Sequence, residues 1–250
     1  MRTVLARTVG AEWTRLWTVR GTWWFAGAAA VVMLGLGAIA GEDAAGDPAA
    51  AGDPAWEAAA VTAMPAQFAL LALALAAVTA DYATGGIVPT LQWTPRRSVL
   101  FAARAVVAVG VATGVGVLLG LGSALLAYAA GRSTLALPAG EGLDVLGTVA
   151  FVFAAGTALA VGLGFVLRNT AGGLVALFLL MLLLPILLPQ FGYDWTTELA
   201  RVLPGTGAAY LLIGEVPGVS RSSSVLMLLA WAGGALLLGW QRLLRADADH

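Results

Sequence analysis

Three residue types that carry much of protein chemistry are missing or marginal here. The sequence has no cysteine and no lysine, and its one histidine, His250, is the last residue. Without cysteine there is no disulfide, thiolate nucleophile or cysteine-ligated metal. Without lysine there is neither a G-x-x-x-x-G-K-[ST] phosphate-binding loop nor Schiff-base chemistry. A catalytic triad, a zincin helix or a haem ligand would need a histidine within the fold. We therefore expect no catalytic residues, no metal site and no cofactor on this chain.

Charge is also scarce. Only 11% of the 250 residues are charged, whereas 60% are hydrophobic. A typical soluble domain has about 25% charged and roughly 45–50% apolar residues. A mean hydropathy of +0.89 is therefore typical of an integral membrane protein and excludes a soluble globular enzyme.

Six apolar runs are long enough to cross a bilayer, which takes about 20 residues. None of them contains a charged residue, as expected because a charge in hydrocarbon is costly. They predict an all-α membrane protein with six transmembrane helices in a single domain covering 1–250. The runs lie at about 22–40, 61–80, 105–128, 145–167, 172–191 and 222–241.

The arginines predict the orientation. With the N-terminus in the cytoplasm, ten of the 13 basic residues fall on the inner side of the membrane and three on the outer side. Such an excess follows the positive-inside rule. We expect both termini to be cytoplasmic and the chain to be a multi-pass protein of the cell membrane.

Residues 1–20 have the pattern of a separate amphipathic helix. Five apolar residues recur at steps of three and four, and the charged residues, including Glu12 and Arg15, are expected elsewhere around the helix. Tryptophan and arginine beside an apolar stripe indicate a helix lying in the inner membrane surface. The alternative is a cytosolic extension of the first span. The five apolar residues are Leu5, Val9, Trp13, Leu16 and Trp17.

Glycine spacing predicts where helices pack closely. Small residues four apart let helix backbones approach each other in lipid. The third span is the richest in such pairs and is expected to be the most tightly packed, and Pro185 is expected to kink the fifth span. The pairs are Gly37 and Gly41, Gly110 and Gly114, and Gly116 and Gly120.

The longest inner connection, residues 81–104, is the most informative segment. It predicts a short helix, a break at Thr94-Pro95 and a basic return into the third span. In one interpretation its arginines only anchor the loop to anionic headgroups, at about 1 kcal/mol each. In the other, the loop docks on a soluble partner. Asp81 is expected to cap the following helix or to pair with an arginine.

This segment resembles the second inner loop of ABC-2 type transporter permeases, the membrane subunits of ABC exporters. Asp81 and Tyr82, Gly85 and Ile87, the pair Thr90-Leu91, the Pro95-Arg96-Arg97 turn and Arg104 match that pattern, and Pro89 departs from it. The stretch from Glu12 to Trp24 is similar to the family's entry to span one. The stretch from Arg201 to Leu212 resembles its outer element, where short helices dip partly into the membrane.

The resemblance implies a partner that supplies the energy. Two permease copies, identical or homologous, would form the path, and a separate ATPase would bind ATP and Mg²⁺ on the cytoplasmic side. The inner loop and the interfacial helix would dock on that ATPase. We expect no nucleic-acid partner. The residues expected at this contact are Asp81, Tyr82, Thr90, Leu91, Trp93, Pro95, Arg96, Arg97 and Arg104.

The substrate is the least determined part of this interpretation. The apolar spans favour export of a hydrophobic or amphipathic compound, such as a drug, peptide or lipid. The sequence indicates no substrate-binding residue. The alternative is a non-transporting membrane scaffold or an immunity or sensor protein, which the acidic first outer loop and the shortage of polar residues in the spans would fit. An intramembrane enzyme is disfavoured because the catalytic residue types are missing.

Overall fold

The protein is seen in a computed structural model that describes residues 2–83, 85–86, 96–214 and 216–245. Of these residues, 87% are helical and none forms a β-strand. In chain order the described helices are α1 (Arg2–Thr18), α2 (Arg20–Gly46), α3 (Glu57–Ala83), α4 (Arg97–Ala130), α5 (Ala139–Leu167), α6 (Thr170–Phe191), α7 (Asp194–Arg201), α8 (Pro204–Ile213) and α9 (Arg221–Arg245).

Six of these helices, α2 to α6 and α9, are long and apolar enough to cross a membrane. The predicted all-α architecture with six spanning helices is thereby confirmed. The helices extend beyond the apolar runs because flanking polar residues continue the same backbone hydrogen bonding. The third span shows this most clearly, since α4 begins at Arg97 and not near residue 105.

The helices α3 and α5 form the centre of the bundle. Their most apolar stretches are 61% and 67% buried, whereas the corresponding value for the other four spans lies between 17% and 33%. Leu70 and Leu75 of α3 pack with Phe153 and Phe165 of α5 in the main hydrophobic core. The less buried helices surround this pair and leave large apolar side chains exposed, as expected where lipid is the solvent.

The fifth span, α6, is not a regular α-helix. A π-helical turn occupies Leu179–Leu183, and a 3-10 turn ends the helix at Leu188–Phe191. The π-helical turn ends two residues before Pro185, which has no N–H to give to the carbonyl of Met181. The start of α8 packs at the same place, where a Cβ on Gly205 would lie 2.8 Å from the Met181 Cα. Helix α8 therefore packs against the middle of a span.

Candidate functional site

Four charged side chains form a closed ring at the end of the bundle that carries α1. The two arginines and two carboxylates alternate, so each guanidinium contacts both carboxylates and the ring is neutral in formal charge. Arg15 reaches Glu12 at 2.7 Å and Asp81 at 3.3 Å. Arg104 reaches Glu12 at 3.0 Å and forms a shorter contact with Asp81. We call these four residues the charge ring.

The charge ring connects three helices that are far apart in the sequence. Glu12 and Arg15 come from α1, Asp81 from the last turns of α3 and Arg104 from the second turn of α4. Arg15 also donates from Nη2 to the carbonyl of Ala77 in α3, at 2.5 Å. These contacts fix α1 against the ends of the second and third spans.

Because the charge ring is buried, the loss of any one of its charges costs folding free energy. The Arg104 side chain is 1% exposed, and those of Glu12 and Asp81 are 7% and 17% exposed. Removing one partner of a buried pair typically costs about 3–5 kcal/mol, because the remaining charge is left uncompensated. Arg104 Nη1 is buried and has no hydrogen-bond partner among the described residues.

The corner between α1 and α2 holds α1 in position for this ring. Thr22 donates its hydroxyl to the carbonyl of Leu16 at 2.6 Å, and the Trp23 indole donates to the carbonyl of Trp17 at 3.0 Å. The rings of Trp17 and Trp23 pack with their centroids 5.2 Å apart. Because both contacts bridge the break at Val19, the angle between α1 and α2 is defined by side chains as well as by the backbone.

A second group of arginines joins α5 and α9 to α3 and α4 at the same end. Arg168 follows α5 in a left-handed conformation, φ 54°, and its guanidinium lies over the Tyr82 ring, 5.2 Å from the centroid. That distance is within the range of cation–π attraction. Arg97 at the start of α4 donates from Nη1 to the Leu243 carbonyl in α9, at 3.0 Å. The ends of α3, α4, α5 and α9 are thus joined on one side of the bundle.

The predicted partner-contact residues separate into distinct groups. Asp81 and Arg104 belong to the charge ring, and Tyr82 packs under Arg168. The prediction that Arg104 contacts headgroups or a soluble partner is wrong, because its side chain is only 1% exposed and offers them no surface. Arg96 is exposed, whereas Arg97 is half-buried against α9. Thr90, Leu91, Trp93 and Pro95 lie outside the described residues.

The apolar stripe predicted on α1 lies only partly against the bundle. Leu16 is 4% exposed, and Val9 and Trp17 are half-buried and pack on the core, whereas Leu5 and Trp13 are 39% and 52% exposed. The helix therefore has a buried edge and an exposed apolar edge, which fits a position at a membrane surface.

Sequence reasoning missed Glu12 and Arg15 as members of the site. It assigned both to the polar side of α1, yet Glu12 lies beside Leu16 on the buried edge. The sequence carries two signals: the three-residue spacing of the pair, which places both on one helix face, and the opposite charges where spans two and three flank their connection. Across the described residues, no three His, Asp or Glu side chains come together in a way that could hold a metal ion.

Comparison of the chain with protein-family models gives no match, and neither does comparison with curated proteins.

Proposed function

We propose that this chain is the membrane-spanning subunit of an ATP-driven exporter of the ABC-2 type, working with a separate ATPase. The observation that carries the proposal is the charge ring. Asp81 lies three residues before the segment 84–95, and Arg104 lies nine residues after it. Both flanks of that inner connection are thereby fixed to each other and to α1.

Such an arrangement suits a mechanical role. A soluble motor that displaces the 84–95 segment would move α1 and the ends of α3 and α4 as one unit, because ion pairs link all three. Since α3 is central in the bundle, this motion would reach the other spans through the core. ATP would act by favouring one of two arrangements through its contacts on the motor. The chain itself would be neither an enzyme nor a nucleotide-binding protein.

The rest of the fold agrees with this role. Six apolar helices provide the membrane domain, and α8 packs into the side of α6 near its middle, as the resemblance leads us to expect of the outer element. The apolar spans favour a hydrophobic or amphipathic cargo. Two copies of the chain, or this chain with a homologue, would form the path in the cell membrane.

The test is co-expression with any nucleotide-binding ATPase that a neighbouring gene encodes, followed by tagged purification and ATPase measurement in proteoliposomes. Arg96 is the exposed arginine next to the inner segment, so Arg96→Glu should reverse a charge at the contact without disturbing the bundle. We expect co-purification, and a loss of ATPase coupling in Arg96→Glu.

Arg132→Glu is the matched control, since Arg132 is also exposed but follows the other end of α4. It should leave coupling unchanged. The proposal fails if no ATPase co-purifies, or if the two variants behave alike. A non-transporting scaffold would bind without nucleotide-dependent movement of cargo, so efflux with a hydrolysis-deficient ATPase separates the two functions.

A further inference from the structure

A long groove runs between α5, α7 and α9 on the outside of the bundle. One part of the groove is a cavity of about 330 Å³ between α5 and α9, lined by Leu159, Leu163, Val166 and Leu238 among others. The other part is a cavity of about 600 Å³ between α7 and α9, lined in part by Glu198, Arg201 and Ser223. Ala230 and Trp231 line both parts, so the two cavities adjoin at these residues. We call the whole the α9 groove.

The two parts of the α9 groove differ in chemistry. From Trp231 to Leu238 its wall is apolar throughout. At the other end, around α7, it carries a cation, a carboxylate and a hydroxyl. The distance along α9 from Ser223 to Leu238 is about 22 Å at the helical rise. Half the hydrocarbon thickness of a bilayer is about 15 Å. The groove therefore has the length and polarity of an amphiphile, with room for a full acyl chain.

At the polar end of the groove, contacts with neighbouring residues hold the Arg201 side chain in position. Arg201 ends α7, donates from Nη1 to Glu198, and has a buried Nε with no hydrogen-bond partner among the described residues. Gly218, at φ 77°, lies against the guanidinium, where a Cβ would be 2.7 Å from the Arg201 Cζ. The Trp231 indole donates to the Val202 carbonyl at 2.8 Å and so fixes α9 to the residue after Arg201.

The charges at this end complement one class of headgroup. Arg201 offers a guanidinium that suits phosphate, and Glu198, whose side chain is 67% exposed, offers a carboxylate that suits an ammonium group. We propose that the α9 groove binds a zwitterionic phospholipid of the phosphatidylethanolamine type from the leaflet on the α7 side. Its phosphate contacts Arg201, its ammonium contacts Glu198 and one acyl chain lies along α9 as far as Leu238. This inference is independent of the proposed transport function.

The experiment uses the purified full chain, delipidated in detergent, with defined lipids added back. Binding is followed by thermal unfolding and by native mass spectrometry. Phosphatidylethanolamine should raise Tm and remain bound. Diacylglycerol with the same tails should do so far less, and soluble phosphoethanolamine should have no effect. A charge-assisted hydrogen bond is worth about 1.5–3 kcal/mol, so Arg201→Gln should weaken binding by at least about tenfold.

Two further variants separate the headgroup from the tail. Glu198→Gln should abolish the preference for phosphatidylethanolamine over phosphatidylglycerol, because it removes the acceptor for the ammonium. Gly234 lines the apolar part with open space around its Cα, so Gly234→Leu should block the tail. Gly233→Leu is the matched control, since its position is equally open but does not line the groove. Arg132→Gln controls for loss of an arginine.

Several results would overturn the proposal. Equal stabilisation by diacylglycerol would mean that only tails bind, as with any lipid surrounding the bundle. Unchanged binding in Arg201→Gln, or tighter binding of phosphatidylglycerol in the wild type, would contradict the headgroup assignment. Because the chain has no cysteine, Leu238→Cys gives a single probe. Efficient cross-linking of two such chains in membranes would show that a second copy occupies the groove.

Discussion

Opposite charges join α1, α3 and α4 at the α1 end of the bundle, whereas α2 and α4 touch through small residues at the opposite end. At the α1 end, the charge ring links α1, α3 and α4 across side chains. At the other end, Gly37 and Gly41 of α2 lie on the backbone of Ser123 and Ala127 in α4. A Cβ on Gly37 would come 2.8 Å from the Ser123 carbonyl oxygen.

This difference matters for how each end responds to force. Packed backbones have one good arrangement, because any separation loses contacts that lipid tails only partly replace. An ion ring can shift as a unit, provided that its charges remain paired and away from lipid. The proposed function requires the α1 end to transmit movement while close packing holds α2 on α4 at the opposite end, and the following variants test that division.

The largest expected effect is at Arg104. Arg104→Gln would leave two largely buried carboxylates, Glu12 and Asp81, to share the single charge of Arg15. We expect a loss of about 3–5 kcal/mol in the free energy of unfolding, measured by denaturant titration in mixed micelles. The exposed arginine control, Arg132→Gln, should stay within about 0.5 kcal/mol of the wild type.

A double-mutant cycle decides whether the ring acts as a unit. Glu12→Gln and Arg104→Gln should each destabilise the protein, and the double variant should cost less than their sum, because the second change removes a charge that has already lost one of its two partners. The coupling should fall in the range of about 0.5–3 kcal/mol. Strictly additive effects would mean that the two side chains do not interact, and would remove the basis for α1 and α4 moving together.

An intermediate effect is expected at the opposite end. Gly37→Ala places a methyl group against the backbone of Ser123, and overpacking of this kind costs about 1–3 kcal/mol. Gly35→Ala is the control two residues away, where nothing lies within 4 Å of the added Cβ. It should be neutral or stabilising by up to about 1 kcal/mol, since alanine favours helix. Equal outcomes for the two would show that α2 and α4 are not in close contact.

The fold was predictable because hydrocarbon imposes a simple pattern. A charge-free run of about 20 residues has few structures available to it in a membrane, so six runs gave six helices. The ends were less predictable, because no such constraint applies once the chain reaches the headgroups. Helix α4 starts at Arg97 since its first turns are held by α9 and the charge ring, which are contacts distant in sequence.

Packing contacts were predicted with less success, for a physical reason. Gly37 and Gly41 pack as expected, and Gly116 lies against the Phe153 ring, but an added Cβ on Gly110 or Gly114 would meet nothing within 4 Å. The expectation that the third span is the most tightly packed is therefore wrong, because α4 is 33% buried over its most apolar stretch, against 61% for α3 and 67% for α5. Four-residue spacing puts small residues on one face, yet it does not say whether that face meets a helix or lipid.

The charge ring was predictable in part. Asp81 and Arg104 are identifiable from the sequence because they flank the connection between the second and third spans, and pairing with an arginine is one of the two roles that the sequence predicts for Asp81. Glu12 was assigned to the polar side because a helical wheel assumes that charge faces water. That assumption fails wherever a buried partner of opposite sign, here Arg104, compensates the charge.

The smallest expected effect concerns the polar contact nearest to the glycine packing. The hydroxyls of Thr62 and Ser123 lie 3.1 Å apart, and both residues are buried. A cycle of Thr62→Val and Ser123→Ala should give a coupling of about 0.6 kcal/mol, the usual value between membrane helices.

The reason for so small a value separates this contact from the charge ring. Each hydroxyl also has the Ala58 carbonyl as an acceptor, at 2.6 Å for Thr62 and 3.4 Å for Ser123, so removing one leaves the other satisfied. The carboxylates of the ring have no such substitute among the described residues when Arg104 is removed, apart from Arg15. A coupling between Thr62 and Ser123 as large as that between Glu12 and Arg104 would contradict this contrast. In that case polar contacts, and not close backbone packing, would hold the opposite end together.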